Sequence, residues 1–291
     1  MKEAKSSSVE LVPVSNDVYH QTHRRGSYEG AMEDKMSSLH EGRTVVCTRG
    51  RVWRTLVRPC VCEFFLTMLF VGASTMGGVV VGDIVQVAFL NGFTIYSLIM
   101  IGLDVSGAQM NPAVSFGLFL SGAQAFDVTV GYFLSQLFGA TAGAGITRAL
   151  VRSNATSFPD TFALVLPTVE NQSHFQSMLT EAYLEFILVL LILVTIVEKD
   201  AKDMFGPLVV GIWVGTAILA GGKLSGGSMN PARAFGAALA FNNGWGEVWI
   251  YFGGGFLGAT LASLAYRFFF AKCAVRLPFL AALDPSLDAT V

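Results

Sequence analysis

Charge is the first thing this chain lacks. Only 14% of its 291 residues are Asp, Glu, Lys or Arg, where a soluble domain carries about 25%. Between Arg58 and Arg148 there is no Lys or Arg, and the acids are limited to Glu63, Asp83, Asp104 and Asp127. A stretch this poor in charge excludes an ordinary soluble domain and has room for several membrane crossings. Histidine and cysteine are scarce too. His20, His23, His40 and His174 lie outside every apolar run, so neither a metal site nor an imidazole base is indicated. Cys47, Cys60, Cys62 and Cys273 have no metal-ligand company. The Cys60–Cys62 spacing invites a redox reading, but buried free thiols are the expectation. There is no nucleotide loop and no hydrolase triad. The pattern therefore indicates neither enzyme nor cofactor, and the net charge of −2 gives no footing for nucleic acid.

What the chain does have is apolar length. Six runs near 20 residues fall at about 59–81, 86–104, 128–150, 178–197, 205–222 and 248–270, each long enough to span. Residues 1–58 are rich in Ser, Glu and Arg and read as a largely disordered tail, with Arg24-Arg25-Gly-Ser27 as a possible kinase site. No apolar stretch in the first 40 residues suggests a cleaved signal. Residues 59–270 form the spanning body and 271–291 a second tail. Arg43, Arg49, Arg51, Arg54 and Arg58 precede the first run with no acid after Glu41, which keeps that end cytoplasmic. Six crossings return the C-terminus to the same side. The long polar segment after the third run then faces out, with glycosylation sequons at Asn154 and Asn171.

Two further apolar pieces, 111–120 and 230–240, are too short to cross and each opens on Asn-Pro-Ala. Asn as a cap followed by Pro in the first turn is a strong helix start, so each is expected to be a half-helix entering from a loop. Irregular backbone at membrane depth survives only when buried in protein or lining a wet cavity. The two boxes sit in a repeat. Ser106-Gly-Ala-Gln-Met-Asn-Pro-Ala-Val-Ser-Phe-Gly117 matches Ser225-Gly-Gly-Ser-Met-Asn-Pro-Ala-Arg-Ala-Phe-Gly236 at eight of twelve positions, 119 residues apart. Glu63 and Glu181 occupy equivalent places, about 59–150 being repeat one and 178–270 repeat two. Three spans per repeat is odd, so the second copy is inverted, and the functional site belongs at mid-membrane on the shared interface.

Two Asn-Pro-Ala boxes among six spans, with Arg233 directly after the second, resemble the aquaporin (major intrinsic protein) family over residues 58–270. The resemblance implies an all-α polytopic membrane protein: an inverted repeat of six transmembrane helices plus two re-entrant half-helices, assembled as a homotetramer. It implies a passive pore for water and small neutral solutes that excludes protons and ions. Asn111, Pro112 and Ala113 with Asn230, Pro231 and Ala232 would form the midplane boxes, where helix N-termini repel cations and donors orient water. Glu63 and Glu181 would hold the re-entrant loops. The family's constriction positions fall on Asn91, Ile218, Gly227 and Arg233. Ile218 and Gly227 resemble the plant vacuolar aquaporins and the animal branch called aquaporin eight, which usually carry His where this chain has Asn91. Such a mouth is wider than that of a strict water channel and suits ammonia and hydrogen peroxide. Ala234 follows the Arg where glycerol facilitators resemble an Asp pattern.

Other readings exist for several residues. An inverted-repeat secondary transporter, or a junctional protein with a residual pore, would use the same spans. Asn91 could serve as a helix–helix hydrogen bond, and Arg233 as half of an ion pair, though no acid lies between Asp203 and Glu247. Glu63 and Glu181 would be proton relays in a pump. Glu185, one turn beyond Glu181, breaks the repeat, because Thr67 stands at its equivalent position. The positive-inside pattern carries a test: protease added to intact, right-side-out cells is expected to leave the N-terminal tail attached, and release of the tail would overturn this topology.

Overall fold

A computed structural model describes residues 47–80, 83–151, 172–198 and 205–271. Asn154, Asn171, Cys273, Arg24–Ser27 and most of both tails lie outside the described residues. The chain divides at Trp53/Arg54 into two units; of the first, the short helix α1 (Cys47–Val52) is described.

Among its described residues the second unit is built of helices joined by loops, with no strand. In chain order it contains α2 (Arg58–Val80), α3 (Ile84–Ser106), α4 (Pro112–Ser121), α5 (Phe126–Leu150), α6 (His174–Ile192), α7 (Phe205–Gly221), α8 (Pro231–Phe241) and α9 (Val248–Ala265). Single π turns, Leu193–Val197 and Tyr266–Phe270, extend α6 and α9, and Tyr266 Oη donates to the Glu198 carboxylate between them. Several helices start earlier than apolarity alone places them, because polar caps lie upstream of the hydrophobic run. Asp83 accepts from Val85 N at 2.7 Å and opens α3, and Ser173 with Gln176 forms a capping box ahead of α6. The half-helices α4 and α8 end in left-handed residues, Gly122 (φ 84°) and Asn242 (φ 51°), a common helix stop.

By length and composition, α2, α3, and α6 and α9 with their π turns are apolar enough to cross a membrane. Helix α7 is apolar but has 17 residues. Helix α5 has 25, with Asp127, Gln136, Arg148 and a run of small residues among them. Burial is reversed relative to a water-soluble protein. Ile101 and Phe138 are 67% and 66% exposed, while Glu63, Gln136, Glu181 and Glu185 are at 0%. The outer surface matches hydrocarbon and the polar groups collect inside, where they can pair.

Packing follows the repeat. Helix α2 lies on α5 as α6 lies on α9, and α3 packs on α7. Each half-helix packs on the third span of the other repeat, α4 on α9 and α8 on α5. Close approach needs small residues. A Cβ on Gly143 would sit 2.2 Å from the Met68 carbonyl oxygen, and one on Gly258 would sit 2.3 Å from that of Ala182. Gly145 differs from these glycines, since a Cβ there meets nothing within 4 Å. Cys60 and Cys62 are free thiols, but half-buried at the helix flank where full burial was expected. Gly143→Ala and Gly258→Ala are each expected to cost at least about 1–3 kcal/mol by overpacking against backbone and to cut the folded peak in size-exclusion chromatography. Gly145→Ala should leave that peak intact.

Candidate functional site

The loop ahead of each box is bent the same way in both repeats. Gly107, Ala108 and Met110 have φ of 82°, 49° and 52°, and their counterparts Gly226, Gly227 and Met229 have 96°, 57° and 50°. Left-handed backbone costs a non-glycine residue roughly 1–2 kcal/mol, so Ala108, Met110 and Met229 have to be held there. Two buried carboxylates hold them. Glu63 Oε1 accepts from Ser106 Oγ (2.6 Å) and Gln109 N (2.9 Å), and its Oε2 accepts from Met110 N (2.7 Å) and Gln136 Nε2 (2.8 Å). Glu181 Oε1 accepts from Ser225 Oγ (2.7 Å) and Ser228 N (3.0 Å), and its Oε2 from Met229 N (2.6 Å). With their oxygens engaged by loop donors, the two carboxylates act as structural anchors. This geometry gives no support to a proton relay.

Each box asparagine is oriented by its own half-helix. Asn111 Oδ1 accepts from Ala113 N (2.9 Å), and Asn230 Oδ1 from Ala232 N and Arg233 N (3.0 and 3.1 Å). With the oxygens turned to the helix ends, both amide nitrogens face the opposite loop. Asn111 Nδ2 donates to the Met229 carbonyl at 2.6 Å, and Asn230 Nδ2 donates to the Met110 carbonyl at 2.8 Å. The half-helices therefore meet N-terminus to N-terminus. A Cβ on Gly255 would lie 3.0 Å from Ala113 Cβ and 3.2 Å from Pro231 Cγ, so Ala113 of one box and Pro231 of the other share that glycine. Pro112 and Ala232 are buried beside them.

A cavity with about 40 Å³ of room for water runs along this junction, enough for a water or two. Asn111, Asn230, Gln109 and Ser228 are its polar lining residues, and Ile95, Leu188 and Val214 are among the apolar ones. Of the four constriction candidates, Gly227 and Ile218 are in contact: a Cβ on Gly227 would come 3.1 Å from Ile218 Cα. Asn91 is 1% exposed; its Nδ2 donates to Val87 O (2.8 Å) on its own helix, and its Oδ1 has no partner. Arg233 is 6% exposed and its Nε has no partner.

A family profile described as "Major intrinsic protein" matches residues 51–266. The chain belongs to the major intrinsic protein family. It is 35% identical over 222 residues to aquaporin TIP4-4 of Zea mays, covering 72% of this chain and 85% of that protein. It is 31% identical over 242 residues to aquaporin TIP2-1 of Arabidopsis thaliana, covering 78% and 92%. Among solved structures it is similar in fold to the aquaglyceroporin of Plasmodium falciparum, with a TM-score of 0.62, 22% identity, and coverage of 78% of this chain and 99% of that one. The chain is thus an integral membrane protein of a channel family, with relatives among the tonoplast aquaporins.

Two further pairs of side chains, absent from the Asn-Pro-Ala motifs, fasten the loops and half-helices. Tyr132 Oη donates to the Ser106 carbonyl (2.8 Å) and Tyr251 Oη to the Ser225 carbonyl (2.9 Å). Arg148 donates to the Ala240 carbonyl, and Arg267 Nε donates to the Ser121 carbonyl at 3.2 Å. These arginines place positive charge at the negative ends of α8 and α4, opposite the box. Each pair is 119 residues apart, the same offset as the boxes, so the signal was present in the repeat. Gln136 alone has no such echo, because Gly255 stands at its equivalent position. Glu63→Leu would leave four donors without an acceptor, at roughly 1–3 kcal/mol each. It is expected to abolish the monodisperse species in detergent, while Gln136→Leu, which removes a single donor, should lower the melting temperature and retain it.

Proposed function

We propose that this protein is a passive channel for water and small neutral solutes, ammonia and hydrogen peroxide among them, that excludes protons and ions. One observation carries the reading: two half-helix N-termini meet across a small cavity, held by reciprocal bonds from Asn111 and Asn230 to the opposite loop. Each N-terminus carries about half a positive charge, which raises the barrier to cations at a narrow, low-dielectric point. Asn230 keeps one amide hydrogen for a passing solute, and a solute held there turns its own hydrogens away from the junction.

Asn91, Ile218, Gly227 and Arg233 form the constriction in this reading. The free Oδ1 of Asn91 and the free Nε of Arg233 support it, since buried polar atoms without protein partners belong where water passes. Residues 59–270 make the pore, and the tails 1–58 and 271–291 stay cytoplasmic. By kinship the protein is a homotetramer with one pore per protomer, and any glycan falls on Asn154 or Asn171.

Stopped-flow measurements on proteoliposomes test the proposal. Water, ammonia and peroxide should pass and glycerol should not. Asn91→Phe is expected to cut ammonia and peroxide flux several-fold more than water flux, and an equal loss for all solutes would assign Asn91 to helix packing. Arg233→Val should admit cations while proton exclusion weakens only in part, because the paired helix ends remain.

A further inference from the structure

Among the described residues, Glu185 is the one buried acid that the loop-holding arrangement does not use. It is 0% exposed, yet it has a single hydrogen-bond contact: Asn111 Nδ2 lies 3.4 Å from its Oε1, and its Oε2 has no partner. Glu181, one turn earlier on α6, engages three donors. Room for the side chain comes from Gly258 on α9, where a Cβ would come within 2.9 Å of Glu185 Cβ. Thr67, at the equivalent place of the first repeat, is likewise fully buried, with its Oγ1 unpartnered. An acid has therefore replaced a hydroxyl at one of two matched positions, and it reaches the box.

The contact makes the two boxes unequal. A primary amide has two hydrogens to donate. Asn111 directs one to the Met229 carbonyl and the other toward Glu185. Asn230 directs one to the Met110 carbonyl, and no acceptor among the described residues takes its second. We propose that Glu185 is a specificity-determining positioning residue: by occupying the spare Asn111 hydrogen, it leaves Asn230 as the one free donor at the junction and so favours single-lone-pair solutes, ammonia above all, relative to water. Ammonia has one lone pair, and one donor satisfies it completely. Water has two, and its hold at the junction is strongest when both amides can donate. This inference rests on the neutral-solute reading above and concerns the ranking of solutes within it.

The test is the ratio of ammonia to water permeability in proteoliposomes, in which protein amount cancels. Glu185→Met keeps the length of the side chain and removes the acceptor, and Glu185→Thr copies the first repeat. In both, the ratio is expected to fall about threefold, the scale of a weak hydrogen bond. Glu185→Gln retains an acceptor oxygen at the same reach and should restore the ratio, which a purely structural role would not require. An unchanged ratio in the Met and Thr variants, or a Gln variant that falls as far as they do, overturns the assignment and leaves the ammonia reading standing. A native protein that passes water and no ammonia overturns both. Failure of all three variants to assemble would make Glu185 a folding residue and end the proposal.

Discussion

Two reciprocal hydrogen bonds, from Asn111 to the Met229 carbonyl and from Asn230 to the Met110 carbonyl, join the halves of this molecule at the point where they repel most. Two helices meeting at their N-termini bring like partial charges together and leave backbone donors unsatisfied at each end. In hydrocarbon neither problem is relieved by water. Here the same two asparagines address both, since each oxygen caps its own helix and each nitrogen reaches across. A primary amide suits this double task, because its oxygen accepts while its nitrogen, on the other side of the group, donates.

Everything further out serves to keep those asparagines in place. The loops that deliver them contain left-handed backbone at Ala108, Met110 and Met229, a conformation that persists only where surroundings over-determine it. Glu63 and Glu181 provide this from the first span of each repeat, and Tyr132 and Tyr251 add a bond from the third. The half-helices are fastened at their far ends by Arg148 and Arg267, each from the other repeat. Each half-helix is thus held by bonds from both repeats.

Departures from the internal symmetry mark where chemistry enters. Arg233 stands opposite Val114, Gln136 opposite Gly255, and Glu185 opposite Thr67. Gln136 adds a fourth donor to Glu63, a structural change. Arg233 and Glu185 instead each leave a buried polar atom without a hydrogen-bond partner.

The sequence by itself determined the helical class, the two short helices that open on Asn-Pro-Ala and the repeat that relates them. Apolar run length, Asn-Pro-Ala starts and a 119-residue offset are local or periodic features, written along the chain by the thickness of a membrane and by duplication. Helix ends were legible to within a few residues, and were missed where a polar cap such as Asp83 or Ser173 preceded the apolar run. What only the tertiary structure decided is which hydrogen goes to which acceptor. The crossed bonds of Asn111 and Asn230 and the arginine clamps join residues of different repeats. The reach of Glu185 to Asn111, 74 positions earlier, depends on the space left by Gly258 on a third helix. Such pairings are set by how helices from the two repeats approach one another, and side-chain spacing within one segment contains no record of that distance.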